Sequence, residues 1–341
     1  MHLNYSNPLI TVIIPVYNAE KLIASCIESI IQQTVDYWNI ILINDGSTDR
    51  SKEICQNFAI IDNRITLINQ PNGGPGKARN TGIEACKTPW FTFIDADDKI
   101  LPTYLENFHV EACEYSTVLS CQGFKRIDLK GNPLGESFSF KDFIYSGKDF
   151  MDRAFREENL YSYGQSVGKL YNKSICDKHS IRLKTDIKWS EDHIFYLNYL
   201  LWVKEIHTHS GCLYLYQLNP GQESLTHRNL PYIEALLIFR YLYPAADEVV
   251  QKFKLESQMV INKINYHSVT ACYSNILQNL YRERPNINSR IAILKELRIS
   301  ILKVHNKYKP HGKKARLLKP MLMYLPLFFL DLILSIIIHK Q

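Results

Sequence analysis

The sequence predicts an α/β fold: a mostly parallel sheet with flanking helices, followed by a helical C-terminal region. Three observations carry this. Short continuous apolar runs alternate with amphipathic stretches through the first 100 residues, and alternation at that pitch builds βαβ units with right-handed crossovers. Polar clusters follow three of the apolar runs. After about residue 229, helical periodicity takes over.

Residues 9–15 (LITVIIP) form the kind of run that a strand buried on both faces requires. Residues 20–33 place Leu22, Ile23, Cys26, Ile27, Ile30 and Ile31 at helical spacing. Residues 38–43 give a second strand. Asp45-Gly46-Ser47-Thr48-Asp49 follows as a turn, with Asp49 as N-cap of a helix through Phe58. Residues 64–69 are a third strand, and Gly73-Gly74-Pro75-Gly76 is a loop feeding a helix through Cys86. Residues 90–94 make a fourth strand that runs straight into Asp95-Ala96-Asp97-Asp98. Farther on, residues 118–127 and 212–218 read as strands, Gly131-Asn132-Pro133 as a turn, and residues 190–201 as a helix. Residues 231–243, 248–280 and 288–304 complete the set as helices.

A chain of 341 residues allows about two domains. Its 46% hydrophobic and 22% charged residues exclude wholesale disorder. Eight cysteines show neither a C-x-x-C pair nor a zinc-like Cys/His spacing, so they read as small buried hydrophobes in a reducing compartment. The N-terminus lacks the basic and apolar regions of a signal peptide, and a cytoplasmic location is expected. The net charge of +6 is local: residues 303–319 carry seven Lys/Arg and no acid, leaving the other 324 residues at −1.

Ligands of parallel sheets bind at the carboxyl ends of the strands. Tyr17-Asn18, Asp45-Gly46-Ser47 and Asp95-Ala96-Asp97 all fall there. Three carboxylates in the four residues 95–98 repel one another unless a cation joins them. Mg²⁺ or Mn²⁺ does so with one or two carboxylates plus substrate phosphates. The alternative is a solvated acidic turn in which Asp98 caps the next helix. Residues 45–49 equally suit Asx and Ser/Thr turns that need no ligand. Residues 73–80 (GGPGKARN) supply backbone freedom and bring Lys77 and Arg79 near a helix N-terminus, where charge and dipole favour a phosphate. They lack the G-K-[ST] of a Walker A loop.

Taken in order, Ile13-Ile14-Pro15-Val16-Tyr17-Asn18 with Glu20, Ile43-Asn44-Asp45-Gly46-Ser47-Thr48-Asp49, Ala78-Arg79-Asn80-Thr81-Gly82 and Phe93-Ile94-Asp95-Ala96-Asp97-Asp98 resemble the successive blocks of family-2 glycosyltransferases of the Rossmann-like GT-A fold. Gly168-Lys169-Leu170-Tyr171, Ser190-Glu191-Asp192-His193-Ile194-Phe195 and residues 219–226 (NPGQESLT) extend the resemblance to about residue 227. It implies a nucleotide-diphosphate sugar as donor, with UDP the favoured nucleotide, a Mg²⁺ or Mn²⁺ cofactor, and transfer with inversion. Carried over residue by residue, Pro15, Tyr17 and Glu20 would lie beside the base and ribose. Asp45 would hydrogen-bond the base, and Arg79 would line the nucleotide pocket. Asp95 would meet the ribose or sugar, Asp97 would ligate the metal, and Asp192 would be the general base. The same blocks add Gly46, Ser47, Lys77 and Ala96 to the donor pocket. Glu191 and Asp192 can exchange roles, because adjacent helix-start residues cannot both face the cleft.

Two departures from the pattern stand out. Ser190 replaces the usual Gly before the Glu-Asp pair, which reads as N-cap variation. No Arg precedes Pro220-Gly221, so positive charge over the diphosphate would come from His227 or Arg228. Lys169 would touch acceptor or diphosphate, or form a surface ion pair. Trp189 would stack on a sugar or sit in the core.

The basic stretch precedes an apolar run, residues 321–338, interrupted by Pro326, Asp331 and Ser335. A basic segment beside an aromatic-bearing apolar helix suits an anchor lying on an anionic membrane face through residues 303–338. A spanning helix and a helix packed on protein are the alternatives. The expected organisation is a catalytic domain over 1–227, with a nucleotide-sugar half (1–100) and an acceptor half (101–227). A helical region over 228–305 and a basic plus apolar segment over 306–341 follow it. The expected function is sugar transfer to a glycan or lipid-linked acceptor in bacterial surface polysaccharide synthesis, with no nucleic-acid partner. A nucleotidyltransferase and a non-catalytic nucleotide-sugar-binding subunit are the rival classes.

Overall fold

The computed structural model describes residues 8–110, 117–135, 137–218, 230–304 and 313–339. The chain divides into two compact units, 1–223 and 224–341.

The first unit is built on a nine-stranded mixed sheet. Strands β1 (Ile10–Val16), β2 (Trp38–Asp45), β3 (Ile65–Gln70) and β4 (Trp90–Phe93) lie parallel in the order β3-β2-β1-β4. Helices α1 (Ile23–Ile31), α2 (Ser51–Ile61) and α3 (Gly74–Ala85) are the crossovers. Ile10, Val12, Ile13, Ile14 and Val16 are all fully buried, so β1 has no solvent face and its unbroken apolar run is explained. A Cβ at Gly82 would come within 2.3 Å of Ile13 Cγ2, so α3 approaches β1 more closely than any side chain allows.

Beyond β4 the sheet changes sense. Strand β5 (Lys99–Ile100) follows the acidic turn, then β6 (Val118–Ile127), β7 (Phe143–Tyr145), helix α4 (Phe150–Glu158), β8 (Lys169–Asn172) and helix α5 (Lys173–Lys178). Helix α6 (Glu191–Leu200) and strand β9 (Glu205–Gln217) complete the unit. Strand β8 inserts antiparallel between β4 and β6, and β9 pairs with β6, β5 and β7.

Several boundaries differ from the sequence expectation. Gly74 and Pro75 lie inside α3 rather than in a loop before it, because Pro is compatible with a first helical turn. Asp49 sits one residue ahead of the cap position of α2, yet its carboxylate accepts the Ser51 N–H at 2.9 Å. Strand β9 begins seven residues before the expected Cys212, since its polar first half pairs with β6.

In the second unit, α7 (Tyr232–Lys252) continues through Pro244. Leu236, Phe239 and Leu242 before the proline and Ala245, Ala246 and Val249 after it form one buried stripe. That burial outweighs the ~3 kcal/mol penalty of an interior proline. The single helix expected over 248–280 is divided: Lys254 turns the chain at φ 48°, and Ser257 caps α8 (Gln258–Asn265). A π-turn (Tyr266–Ala271) leads into α9 (Cys272–Glu283), and α10 (Ile287–Val304) follows. The apolar run breaks at Pro326 into α11 (Lys313–Tyr324) and α12 (Leu327–His339). Arg298 donates to the Leu322 and Leu325 carbonyls and so closes the open end of α11. Asp331, buried in α12, accepts from Tyr281 Oη at 2.7 Å and from Arg290 Nε and Nη2 at 2.8 Å. One side of α12 therefore packs on α9 and α10, while Phe328, Phe329, Leu332 and Ile336 remain exposed.

Candidate active site

The carboxyl ends of β1, β2 and β4 bring the three polar clusters together on one edge. Near the end of β1, Pro15 is half-buried, and Tyr17 just past it is exposed. Asn18 Oδ1 accepts from the Thr48 N–H, while the Asn18 N–H donates to Ser47 Oγ. Glu20 accepts the Arg50 N–H. These bonds fasten the β1 end to the β2 end.

Asp45 is buried and its acceptors are engaged. Oδ1 receives Gln70 Nε2 at 2.7 Å and the Gly73 N–H at 2.9 Å; Oδ2 receives the Gly74 N–H at 2.8 Å. The carboxylate caps α3 and sits at its positive end. The amides expected to cradle a phosphate therefore already face Asp45, and Lys77 is exposed nearby. Gly46 adopts φ 70°, and a Cβ there would meet the Asn72 nitrogen at 2.8 Å, so no other residue fits the turn. Asn44, part of the second block but given no role from the sequence, accepts the Ser47 N–H and donates to Asn69.

Arg79 is the hub. Its buried guanidinium donates to Asp95 Oδ1 at 2.7 Å and pairs with Glu191 Oε1 at 3.4 Å, over the face of Phe93. One cation thus joins the acidic turn after β4 to the start of α6. Burial and the charge of Asp95 push the Asp97 carboxyl up to about 6. Asp98 turns inward instead. It accepts from Tyr214 Oη at 2.5 Å and from the Gln217 N–H at 2.8 Å, and it precedes β5 rather than capping a helix. Ala96 is buried between its acidic neighbours.

At the start of α6, Ser190 has φ 64° and ψ 8° and makes no side-chain cap bond. The N-cap reading is corrected: this position needs left-handed backbone, which a glycine supplies without strain. Glu191 is held by Arg79, and burial followed by the charge of Asp192 pushes its carboxyl up to about 7. Asp192 Oδ1 accepts the local His193 N–H at 2.7 Å. Burial raises the Asp192 carboxyl, opposed by Arg79 and Lys169. Lys169 is not a surface residue. Its Nζ is buried, donates to the Gln165 carbonyl at 2.6 Å, and lies 5.1 Å from the Tyr196 ring centroid. Burial pulls it down to about 8. Trp189 is half-buried. The late loop, residues 219–226, with His227 and Arg228, lies outside the described residues.

Tyr214 and Gln217 were invisible to sequence reasoning. They lie more than 115 residues from the acidic turn they bind, and no local pattern marks them.

Comparison with known proteins gives the family of this fold. The model of glycosyl transferase family 2 matches residues 11–180. EpsJ of Bacillus subtilis, an uncharacterised glycosyltransferase, is 30% identical over 247 residues, covering 72% of this chain and 67% of EpsJ. The chain belongs to glycosyl transferase family 2. Glycosyltransferase GlyA of Streptococcus pneumoniae serotype 4 is 34% identical over 226 residues, which is 63% of this family-2 chain. The match spans about a third of GlyA, 31% of its length. Poly(ribitol-phosphate) beta-glucosyltransferase of Bacillus spizizenii is 27% identical over 264 residues, 76% of this chain and 39% of that protein. The structure of Staphylococcus aureus TarS 1–349 in complex with UDP-GlcNAc has the same fold, with a TM-score of 0.70, 19% identity, and coverage of 97% of this chain and 90% of that one.

Proposed function

We propose that this family-2 chain is an inverting glycosyltransferase that moves a sugar from a UDP-sugar to a hydroxyl of a surface glycan or lipid-linked acceptor. The observation that carries this is the Arg79 bridge, which ties Asp95 of the acidic turn to Glu191 beside Asp192. A donor site and a proton acceptor share one buried cation. Pro15, Tyr17, Glu20, Asp45, Gly46 and Ser47 would hold the base and ribose. Asp95, Ala96, Lys77 and Arg79 would flank the diphosphate and sugar. Asp192 takes the proton of the acceptor hydroxyl as its oxygen attacks C1 from the face opposite the leaving diphosphate. Glu191, fixed by Arg79, orients that helix start.

The residues fit a hard divalent cation that shares its ligands with substrate. Among the described residues no group of three His, Cys, Asp or Glu could hold a metal ion alone. Asp97, next to Asp95, offers the one or two carboxylates that Mg²⁺ or Mn²⁺ takes when phosphate oxygens supply the rest. Bound there, the cation neutralises charge on the departing diphosphate. Of the relatives, TarS carries UDP-GlcNAc and the B. spizizenii protein is named for a poly(ribitol-phosphate) acceptor; both support the donor and acceptor classes proposed.

No helix among the described residues is long and apolar enough to cross a membrane. The exposed Phe328, Phe329, Leu332 and Ile336, with the seven Lys/Arg of residues 303–319, support peripheral docking on the inner membrane face. A screen of nucleotide sugars for turnover with Mn²⁺ tests the assignment. UDP-sugar turnover that falls at least 100-fold in Asp192→Asn is expected. Absence of turnover with every nucleotide sugar, or full activity in that variant, would defeat it. Vesicle flotation checks the membrane assignment: loss of binding to anionic vesicles in Phe328→Ser/Phe329→Ser is expected, and unchanged flotation refutes it.

A further inference from the structure

The acidic turn is held by a strand that contributes no ligand to it. Tyr214 Oη accepts the Asp95 N–H at 3.2 Å and donates to Asp98 Oδ2 at 2.5 Å. The Gln217 N–H donates to Asp98 Oδ1 at 2.8 Å, and Gln217 Nε2 donates to the Asp97 carbonyl at 2.5 Å. The turn closes on itself through the Asp98 N–H and the Asp95 carbonyl at 3.0 Å. Every residue of the turn except Ala96 is thus tied to β9. Asp98 and Tyr214 are buried, and Tyr214 also pairs in the sheet with Ile100 of β5 just past the turn.

Three like charges in four residues favour splaying apart. A turn free to do so would present Asp97 in many directions. Asp98 resolves this by turning its carboxyl into β9, where a hydroxyl and an amide donate to it. Asp95 is drawn to Arg79. Asp97 is left as the carboxylate of the turn aimed at neither partner. We propose that Tyr214 and Gln217 of β9 are positioning residues of the donor site: they clamp the Asp95–Asp98 turn so that Asp97 is preset for a cation-bound diphosphate. This rests on the metal-assisted reading of the site given above. The clamp also has a directional consequence. Gln217 lies two residues before residue 219, where the segment resembling the family's diphosphate loop begins, so the same strand end that fixes the turn leads into that loop.

Calorimetric titration of the full chain with UDP, in Mn²⁺ and in EDTA, tests the clamp. Tyr214→Phe and Gln217→Ala are each expected to weaken UDP binding in Mn²⁺ about tenfold, the effect of one or two buried hydrogen bonds, while moving binding in EDTA less than twofold. Tyr104→Phe, which removes a buried hydroxyl from the same core without touching the turn, is the stability control. It should lower the melting temperature comparably and leave UDP binding in Mn²⁺ within twofold of wild type. Asp98→Asn, whose amide still accepts from the Gln217 N–H, should restore most of the affinity that Asp98→Ala loses. Unchanged Mn²⁺-dependent affinity in Tyr214→Phe and Gln217→Ala would overturn the clamp, as would an equal loss in EDTA. Wild-type affinity for UDP that is the same in Mn²⁺ and EDTA would overturn the metal reading, and the clamp with it.

Discussion

Replacing Ser190 by glycine is expected to stabilise the first unit by about 0.5–1 kcal/mol. The magnitude follows from the backbone. Ser190 stands at φ 64°, ψ 8°, a left-handed conformation that costs an L-residue roughly 1–2 kcal/mol. Glycine removes that cost but returns about 0.5–1 kcal/mol of chain entropy to the unfolded state. No hydrogen bond is lost, because the serine side chain makes no cap bond. For a unit of this size the gain corresponds to about 1–4 °C in melting temperature. Differential scanning calorimetry of wild type, Ser190→Gly and Ser190→Ala measures it. Alanine relieves no strain and breaks no bond, so it should fall within ~0.5 kcal/mol of wild type. A destabilised Ser190→Gly, or a loss above ~1 kcal/mol in Ser190→Ala, would show that the side chain caps α6 after all and refute the backbone argument.

Three further outcomes are expected. Asp97 and Glu191 have carboxyls raised in the folded state, to about 6 and about 7. Each therefore contributes stability that is full below its unfolded value, near 4, and is lost as pH rises through the folded one. Without nucleotide or metal, urea midpoints should fall between pH 4 and 7, and Asp97→Asn should flatten the part of the slope below about pH 6; an unchanged slope contradicts this. Gly82→Ala pushes a methyl into Ile13 and should cost about 1–3 kcal/mol by urea melt, whereas a neutral result would mean that α3 can move off β1. Asp331→Ala leaves the largely covered Arg290 guanidinium with the Pro285 carbonyl but without its carboxylate, and should cost the second unit about 2–3 kcal/mol. Hydrogen exchange should then accelerate across residues 327–336 first, and uniform protection would argue against Asp331 holding α12 to α9 and α10.

The parallel half of the sheet was legible because its strands are apolar on both faces, so β1, β2 and β4 announce themselves as unbroken runs. Residues whose role depends on distant partners were not. The first half of β9 reads as polar, and only its pairing with β6 makes it a strand. Pro244 signals a helix end that continuous burial overrides. Ser190 suggests a cap, yet the requirement at that point is a backbone angle, which a residue name does not reveal. Asp331 looked like a flaw in an apolar segment and is instead the partner of Arg290, 41 residues earlier. Among the candidate site residues, Asp97, Glu191 and Asp192 were proposed from motif order, while Tyr214 and Gln217 are separated from the turn they hold by more than 115 residues.

The insertion of β8 between β4 and β6 also sets an order of assembly. During synthesis the β3-β2-β1-β4 layer can close as soon as residue 93 is available, because each of its strands has a local partner. The open edge of β4 must then wait until residues 169–172 emerge. For that interval the nascent chain carries an unpaired strand edge, the feature that recruits other chains. Its shortness, four residues, limits the exposure. Docking of β8 closes the β4 edge but leaves the longer edge of β6 waiting for residues 205–217. Chains ending before residue 205 are thus expected to aggregate, and chains that include residue 217 to do so less, which sedimentation of stalled or truncated products would reveal.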